Sequence, residues 1–323
     1  MTSSRSFSVE QRMLQGRWFI DNLAGHTGYA EVDYRLPKRQ SNLSPSIRES
    51  AESSFAAEPV IQWHQHANHG LSSQVCCVNF LLPFASKPEL LRRWVQHVIG
   101  EPVAEMLPIE LREDQPWFVT FEWIGDSDYL NESRDGAPRK RGANATAADA
   151  AVRFRDGAGQ IQLLLIEWKY TERYGQPLNP GADGAANETR RGRYRQIFKA
   201  PNGPIRADAD VTLDDFFYEP FYQMVRQQML AFQTERHDTQ IDRARVLHLS
   251  PSGNRPLHNV TSPALRRFGD DAFEVFRSLL TDPQDFRSMS IEDAFAPLSG
   301  WPEADWYPWL QGRYASLCDK APV

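Results

Sequence analysis

The chain has 323 residues, of which 41% are hydrophobic and 24% charged, and these proportions exclude a disordered or fibrous protein. No apolar run approaches the roughly 18 residues that a membrane-spanning helix needs, and the cysteines are too few for a disulfide framework. We therefore expect a cytoplasmic protein without a membrane partner, and the net charge of −6 excludes a general polyanion binder.

Helical patterns dominate the first hundred residues. Apolar spacing predicts helices over Phe7–Leu23, Leu71–Phe84 and Pro88–Ile99. Residues 31–59 are rich in Ser, Pro and charge, which indicates a loop or an extended arm.

Three strand patterns follow. They are rich in aromatic, β-branched or other apolar residues and cover Trp117–Trp123, Ala147–Arg155 and Ile161–Tyr170. The DGAGQ between the last two predicts a β-hairpin.

The second half alternates helix and strand after one long interruption. Arg173–Val211 has too little apolar content for a core element, which indicates a surface excursion. A helix is then predicted over Leu213–Gln233, a strand over Arg243–Leu249 and a helix over Pro263–Leu280, before a Trp-rich tail that suits a small helical cap.

This order predicts an α/β fold with a mixed sheet of four to five strands flanked by helices. Helical additions are expected at both ends. The predicted regions are an N-terminal arm and helical extension (1–87), an α/β core (88–255) and a C-terminal helical cap (256–323).

The hairpin carries the strongest chemical signal. Its second strand is apolar on both faces until Glu167, and Lys169 follows on the same face. With a three-residue turn at Gly157–Gly159, Asp149 lies directly across from Glu167, where two carboxylates would repel each other. A shared Mg²⁺ would offset that repulsion. The simpler alternative is a salt-bridged hairpin in which Lys169 merely neutralises Glu167.

An Asp, a hairpin and then IEWK (Ile166–Lys169) at the end of the next strand resemble the signature of the PD-(D/E)XK nuclease superfamily. The predicted order of elements over Pro88–Leu249 is similar to that family's restriction-endonuclease-like core. IEWKYTE and the stretch Ser72–Phe80 further resemble a bacterial restriction-endonuclease-like group within it. One departure is Ala148, which stands where the family name has proline.

The resemblance implies a metal site. Asp149 and Glu167 would be ligands of Mg²⁺, or alternatively Mn²⁺, with the Trp168 carbonyl as a third ligand. Lys169 would orient or deprotonate the attacking water and stabilise charge on the phosphate. The family often adds an upstream acid, for which the candidates are Glu122 and Glu132. We favour Glu122 because a strand position is better fixed.

Two further segments are candidates for nucleic-acid binding. Gln223, Arg226 and Gln227 share one helical face, and the resemblance implies that such residues touch the nucleic-acid backbone. The run from 190 to 199 carries five basic residues and no acid, which suits a phosphate-binding loop. Its candidate contacts are Arg190, Arg191 and Arg193. Ordinary solvated faces are the alternative in both segments.

The predicted function is that of a Mg²⁺-dependent endodeoxyribonuclease acting on DNA in restriction, phage defence or repair. Cutting both strands commonly needs two active sites, which leaves a homodimer open. One alternative is a catalytically silent nucleic-acid-binding module that kept the fold. Another is a metalloprotein in which His64, His66 and His69, with Cys76 or Cys77, hold zinc.

Overall fold

The computed structural model describes residues 6–133, 139–142, 145–174, 178 and 185–318. Its strands form a six-stranded mixed sheet in the order β1-β5-β6-β7-β8, with β4 also paired to β5, and a separate hairpin of β2 and β3. The strands are β1 (Val103–Leu107), β2 (Glu110–Arg112), β3 (Gln115–Trp117), β4 (Thr120–Trp123), β5 (Ala148–Asp156), β6 (Ile161–Trp168), β7 (Arg243–Ser250) and β8 (Phe286–Ser290). The mixed α/β fold is confirmed, with β1 and β8 as strands that the sequence did not predict.

Helices surround this sheet. They are α1 (Phe7–Asn22), α2 (Arg48–Ala56), α3 (Ser73–Leu81), α4 (Pro88–Ile99), α5 (Ala185–Phe198), α6 (Phe221–His237), α7 (Ala272–Ser278), α8 (Ile291–Phe295), α9 (Tyr307–Arg313) and α10 (Ala315–Cys318). In the described parts of the chain, no helix is both long and apolar enough to cross a membrane.

The sheet separates two hydrophobic clusters. Leu164 and Ile166 of β6 pack with α3, α4 and the C-terminal helices, whereas Leu163 and Leu165 pack with α5, α6 and α7. This alternation is the period of two expected for a strand covered on both faces. It leaves the carboxyl end of β6 as the place where polar side chains emerge.

Three predicted elements differ from the structure because local breaks interrupt them. The strand expected over Trp117–Trp123 is split, since the Phe118 N–H donates to the Ala85 carbonyl (2.9 Å) outside the sheet. Pro220 has no N–H and α6 therefore begins only after it, at Phe221. The helix expected over Pro263–Leu280 is reduced to a 3₁₀ turn and α7, with Gly269 between them at φ 150°.

Two segments expected to be irregular contain helices. The arm over 31–59 includes α2. The excursion over Arg173–Val211 includes α5, which buries Tyr194, Ile197 and Phe198 against the second cluster. The prediction of a surface excursion is wrong over α5. The segment has a low average apolar content, but three of its apolar residues have helical spacing and form a buried face.

Candidate active site

The hairpin of β5 and β6 has the predicted register. Ala150 lies opposite Ile166 and Ala151 opposite Leu165, so that Asp149 is level with Glu167 at the open end. Asp149 Oδ2 accepts a hydrogen bond from the Trp168 main-chain N–H (2.7 Å). The hairpin therefore brings both carboxylates to one end of the sheet.

A third carboxylate joins this row from β4. Phe121 pairs with Ala150 and Trp123 with Ala148, which puts Glu122 level with Asp149. Glu122, Asp149 and Glu167 thus lie side by side on three adjacent strands. Neighbouring strands place such side chains within mutual reach, and like charges there repel.

Glu122 has an unusual backbone. Its φ is +50°, a left-handed conformation that few residues other than glycine adopt. The buried Arg141 side chain donates to the Phe121 carbonyl and braces this bend (Nε to O, 3.1 Å). The carboxylate accepts from Gln74 Nε2 (2.7 Å) and lies 3.1 Å from His64 Nε2. Strained backbone of this kind clusters at functional sites.

The charged groups at the end of β6 lie close enough to change one another's pKa. Burial raises the pKa of Asp149 well above its usual range, and the negative charge of Glu167 raises it further. Lys169 Nζ pairs with Glu167 Oε1. Burial opposes the charge on Lys169, but Glu167 and other nearby acids hold its pKa well above the ordinary value. Lys169 is therefore an ammonium ion at neutral pH.

The helix α6 forms the opposite wall. Gln227 Nε2 donates to Glu167 Oε2 and to the Ala147 carbonyl. One turn earlier, Gln223 Oε1 accepts from the Tyr174 hydroxyl (3.1 Å). Glu219, just before α6, also lies near Lys169, and burial raises the pKa of its carboxyl to about 7.

These walls enclose a cleft of about 270 Å³. Its lining combines acidic, basic and amide side chains from the sheet, from α6 and from the segment before α3. The polar residues of the lining are His64, Glu122, Thr146, Asp149, Glu167, Lys169, Gln223, Arg226 and Gln227.

A model of the protein family described as "Restriction Endonuclease associating with ARP" matches residues 18–315. The chain belongs to this family. No curated protein and no solved structure shows significant similarity to the chain. The match covers every residue of the cleft and confirms the restriction-endonuclease-like resemblance of the sequence.

The arginines of α5 do not reach the cleft of this restriction-endonuclease-like chain. Arg190 donates to Asn187 Oδ1 (2.5 Å) and lies over the Tyr222 ring. Arg191 pairs with Asp214 (Nη2 to Oδ2, 2.6 Å). Arg193 is also outside the cleft lining. Their predicted contact with nucleic acid stays a prediction.

The alternative upstream acid, Glu132, is held in a buried network outside the cleft. It accepts from Thr146 Oγ1 (2.7 Å) and from the Tyr194 hydroxyl, and it pairs with Arg226 Nη2 (3.2 Å). Glu132 therefore anchors α5 and α6, whereas Glu122 faces the cleft.

The histidine cluster is divided. His64 lines the cleft beside Glu122, and the hydrogen bond with that carboxylate raises the pKa of His64. His66 and His69 stack on each other elsewhere, with ring centroids 4.7 Å apart. Cys76 and Cys77 belong to the first core cluster, where burial raises the pKa of both thiols.

Two residues that contact Glu122 were not part of the predicted nuclease site. His64 was assigned to a zinc cluster, and Gln74, which positions Glu122, was not singled out. A signal for Gln74 existed, because it is the glutamine of the stretch Ser72–Phe80 that carried part of the family resemblance.

A hard cation would find oxygen ligands at the level of Asp149 and Glu167. Among the described residues, no three His, Cys, Asp or Glu side chains are arranged to hold a metal ion. Mg²⁺, however, usually takes only one or two carboxylates and completes its shell with other oxygens. The Trp168 N–H points to Asp149, whereas the Lys169 N–H points away to the Leu249 carbonyl (2.8 Å). The Trp168 carbonyl belongs to the same peptide unit as the Lys169 N–H and points the opposite way, toward the carboxylates. This direction fits its expected role as a third oxygen ligand.

Proposed function

We propose that this protein is a Mg²⁺-dependent endonuclease that hydrolyses phosphodiester bonds of DNA. The observation that carries the proposal is the convergence of Asp149, Glu167 and Lys169 at one end of the sheet, within a cleft. Membership of a restriction-endonuclease family supports DNA as the substrate.

Asp149 and Glu167, with the Trp168 carbonyl, would hold the cation, and the upstream acid Glu122 would add negative charge beside it. The cation, when bound, supplies Lewis acidity toward a phosphoryl oxygen. Burial, and then the negative charge of Glu167, raise the pKa of Asp149, so the ionised form of this carboxylate lacks a close positive partner of its own. A divalent ion would correct that deficit.

Lys169 acts as an electrostatic group in this proposal. Its ammonium group pairs with Glu167, and nearby acids hold its pKa above the ordinary value. At that place it would orient the attacking water and stabilise charge on the phosphate. Gln227 holds Glu167 from the other side and fixes the direction of that carboxylate.

A cleavage assay tests the proposal. Supercoiled plasmid, linear duplex, single-stranded DNA and RNA are each incubated with the protein and Mg²⁺ or Mn²⁺, and with EDTA. We expect DNA cleavage that requires the cation and falls at least about 100-fold in Lys169→Ala. Lys38→Ala, an exposed lysine in the N-terminal region, is the matched control and should cleave normally.

Two outcomes would contradict this function. Cleavage at the wild-type rate by Lys169→Ala would remove the proposed site. DNA binding without cleavage under every cation condition would instead favour the catalytically silent module.

A further inference from the structure

A second and larger cavity, of about 840 Å³, lies beside the cleft. Three chain segments line both spaces with nearby residues. The residues on the cleft side are Glu122, Gly142 and His64. Their neighbours on the side of the larger cavity are Trp123, Arg141 and Gln62. The larger cavity is therefore next to any phosphate that lies at the carboxylates.

The cavity wall includes an aromatic side chain. Trp123 ends β4, directly across from Ala148; it is only partly buried, and it packs with part of its surface against the second hydrophobic cluster. Among the described residues, no aromatic ring pairs with it. Leu111 and Val60, which are 67% and 45% exposed, extend the apolar wall toward solvent.

Polar groups of the same wall are arranged around this surface. Glu110 pairs with Arg141 (2.7 Å) and with Arg112, so that two guanidinium groups share one carboxylate. Arg139 donates to the main-chain carbonyls of Ile124 and Gly125 and fixes the turn after Trp123. Lys140 remains exposed at the rim, where its charge suits a neighbouring phosphate.

We propose that this cavity receives a nucleobase of the substrate strand, unstacked from its neighbours and placed against Trp123. The inference rests on the proposed function, because it is the phosphate at the carboxylates that brings a base to this wall. A flat ring beside a partly polar wall, next to a phosphate-binding cleft, matches the way single-stranded nucleic acid binds aromatic platforms. A duplex would have to release that base from its stack before binding.

The test compares two ligands with the same phosphates. Binding of labelled oligothymidylate, and of an abasic sugar-phosphate chain of equal length, is measured by fluorescence anisotropy with Ca²⁺ in place of Mg²⁺. The readout is the ratio of the two affinities, which isolates the base. Stacking on one aromatic side chain predicts that Trp123→Ala lowers this ratio about 5- to 100-fold.

Matched variants keep the result interpretable. Trp301→Ala removes a partly buried tryptophan that packs on Arg93 in the C-terminal region, and it should leave the ratio unchanged. Trp123→Phe should restore most of the ratio. If Trp123→Ala does not fold, Leu111→Gln changes an exposed part of the same wall and should lower the ratio several-fold.

The inference is overturned if wild type does not prefer the ligand with bases, or if the ratio is equal in wild type and Trp123→Ala. Plasmid cleavage by the same preparations separates this failure from that of the proposed function. Cleavage without a base-dependent ratio removes only the base site. A Trp123-dependent ratio without cleavage removes only the nuclease activity.

Discussion

Two neighbouring helices carry basic residues, and their arginines have different surroundings. On α6, Arg226 lines the cleft while it also pairs with Glu132. On α5, where basic residues are denser, Arg190 contacts Asn187 and Tyr222, and Arg191 pairs with Asp214. The comparison teaches that the density of positive charge along a sequence is a poor guide to which arginines line the cleft. Distance from the end of β6 is a better one.

Stability should separate the two arginines most clearly. Arg226→Met leaves the 5% exposed Glu132 without its ion-pair partner, and we expect a loss of about 3 kcal/mol in the free energy of unfolding. Arg191→Met should lose much less, because its partner Asp214 is 45% exposed and water can replace the contact. Urea denaturation measures both values. Equal losses would contradict the contrast between the helices.

A divalent cation should stabilise the protein by binding at the cleft, which α6 borders, and not at the acids beside α5. Without DNA, Mg²⁺ at about 100 times its dissociation constant should stabilise the folded protein by about 2.7 kcal/mol. The effect should disappear in Glu167→Gln and persist in Asp214→Asn, a matched change beside α5. Thermal melts with and without Mg²⁺ give the shift. Stabilisation that survives Glu167→Gln would locate the ion elsewhere.

The carboxyl of Glu219 should make stability depend on pH. Burial raises its pKa to about 7 in the folded protein, above the ordinary value of about 4.3 for glutamate. Its contribution is therefore fully present below the ordinary value and is lost as the pH rises toward and through 7. Glu219→Gln imitates the protonated form, so its melting temperature should match wild type at pH 4 and exceed it by a few degrees at pH 8. If the difference in melting temperature between Glu219→Gln and wild type becomes smaller as the pH rises, the pKa of Glu219 is not raised by folding.

Salt dependence should show the smallest effect. Arg190 and Arg191 are held by protein partners, whereas no partner of the Arg193 side chain is seen among the described residues. Replacing all three by Ala should lower the slope of log affinity against log salt for DNA by about one. An unchanged slope would remove α5 from the interface. A fall of nearly three would mean that its ion pairs open on binding.

The sequence was informative where the signal is local. The DGAGQ turn determines the register that puts Asp149 level with Glu167. The same holds for α4, whose apolar stripe and following Gly100 mark both of its ends.

The parts that could not be predicted depend on contacts between distant segments. Gln74 reaches Glu122 across 48 positions of the sequence, and no local pattern reports such a contact. His64 looked like a member of a histidine cluster because its neighbours in sequence are histidines, whereas its contact in space is Glu122. The left-handed backbone of Glu122 likewise depends on the buried side chain of Arg141.

The bond between Gln227 and Glu167 spans 60 positions of the chain. Synthesis delivers the N-terminal parts of a protein first. A chain that has left the ribosome only as far as Lys169 already carries all three acids and the lysine, but not the helix that faces them. The cleft can therefore close only after α6 has been synthesised.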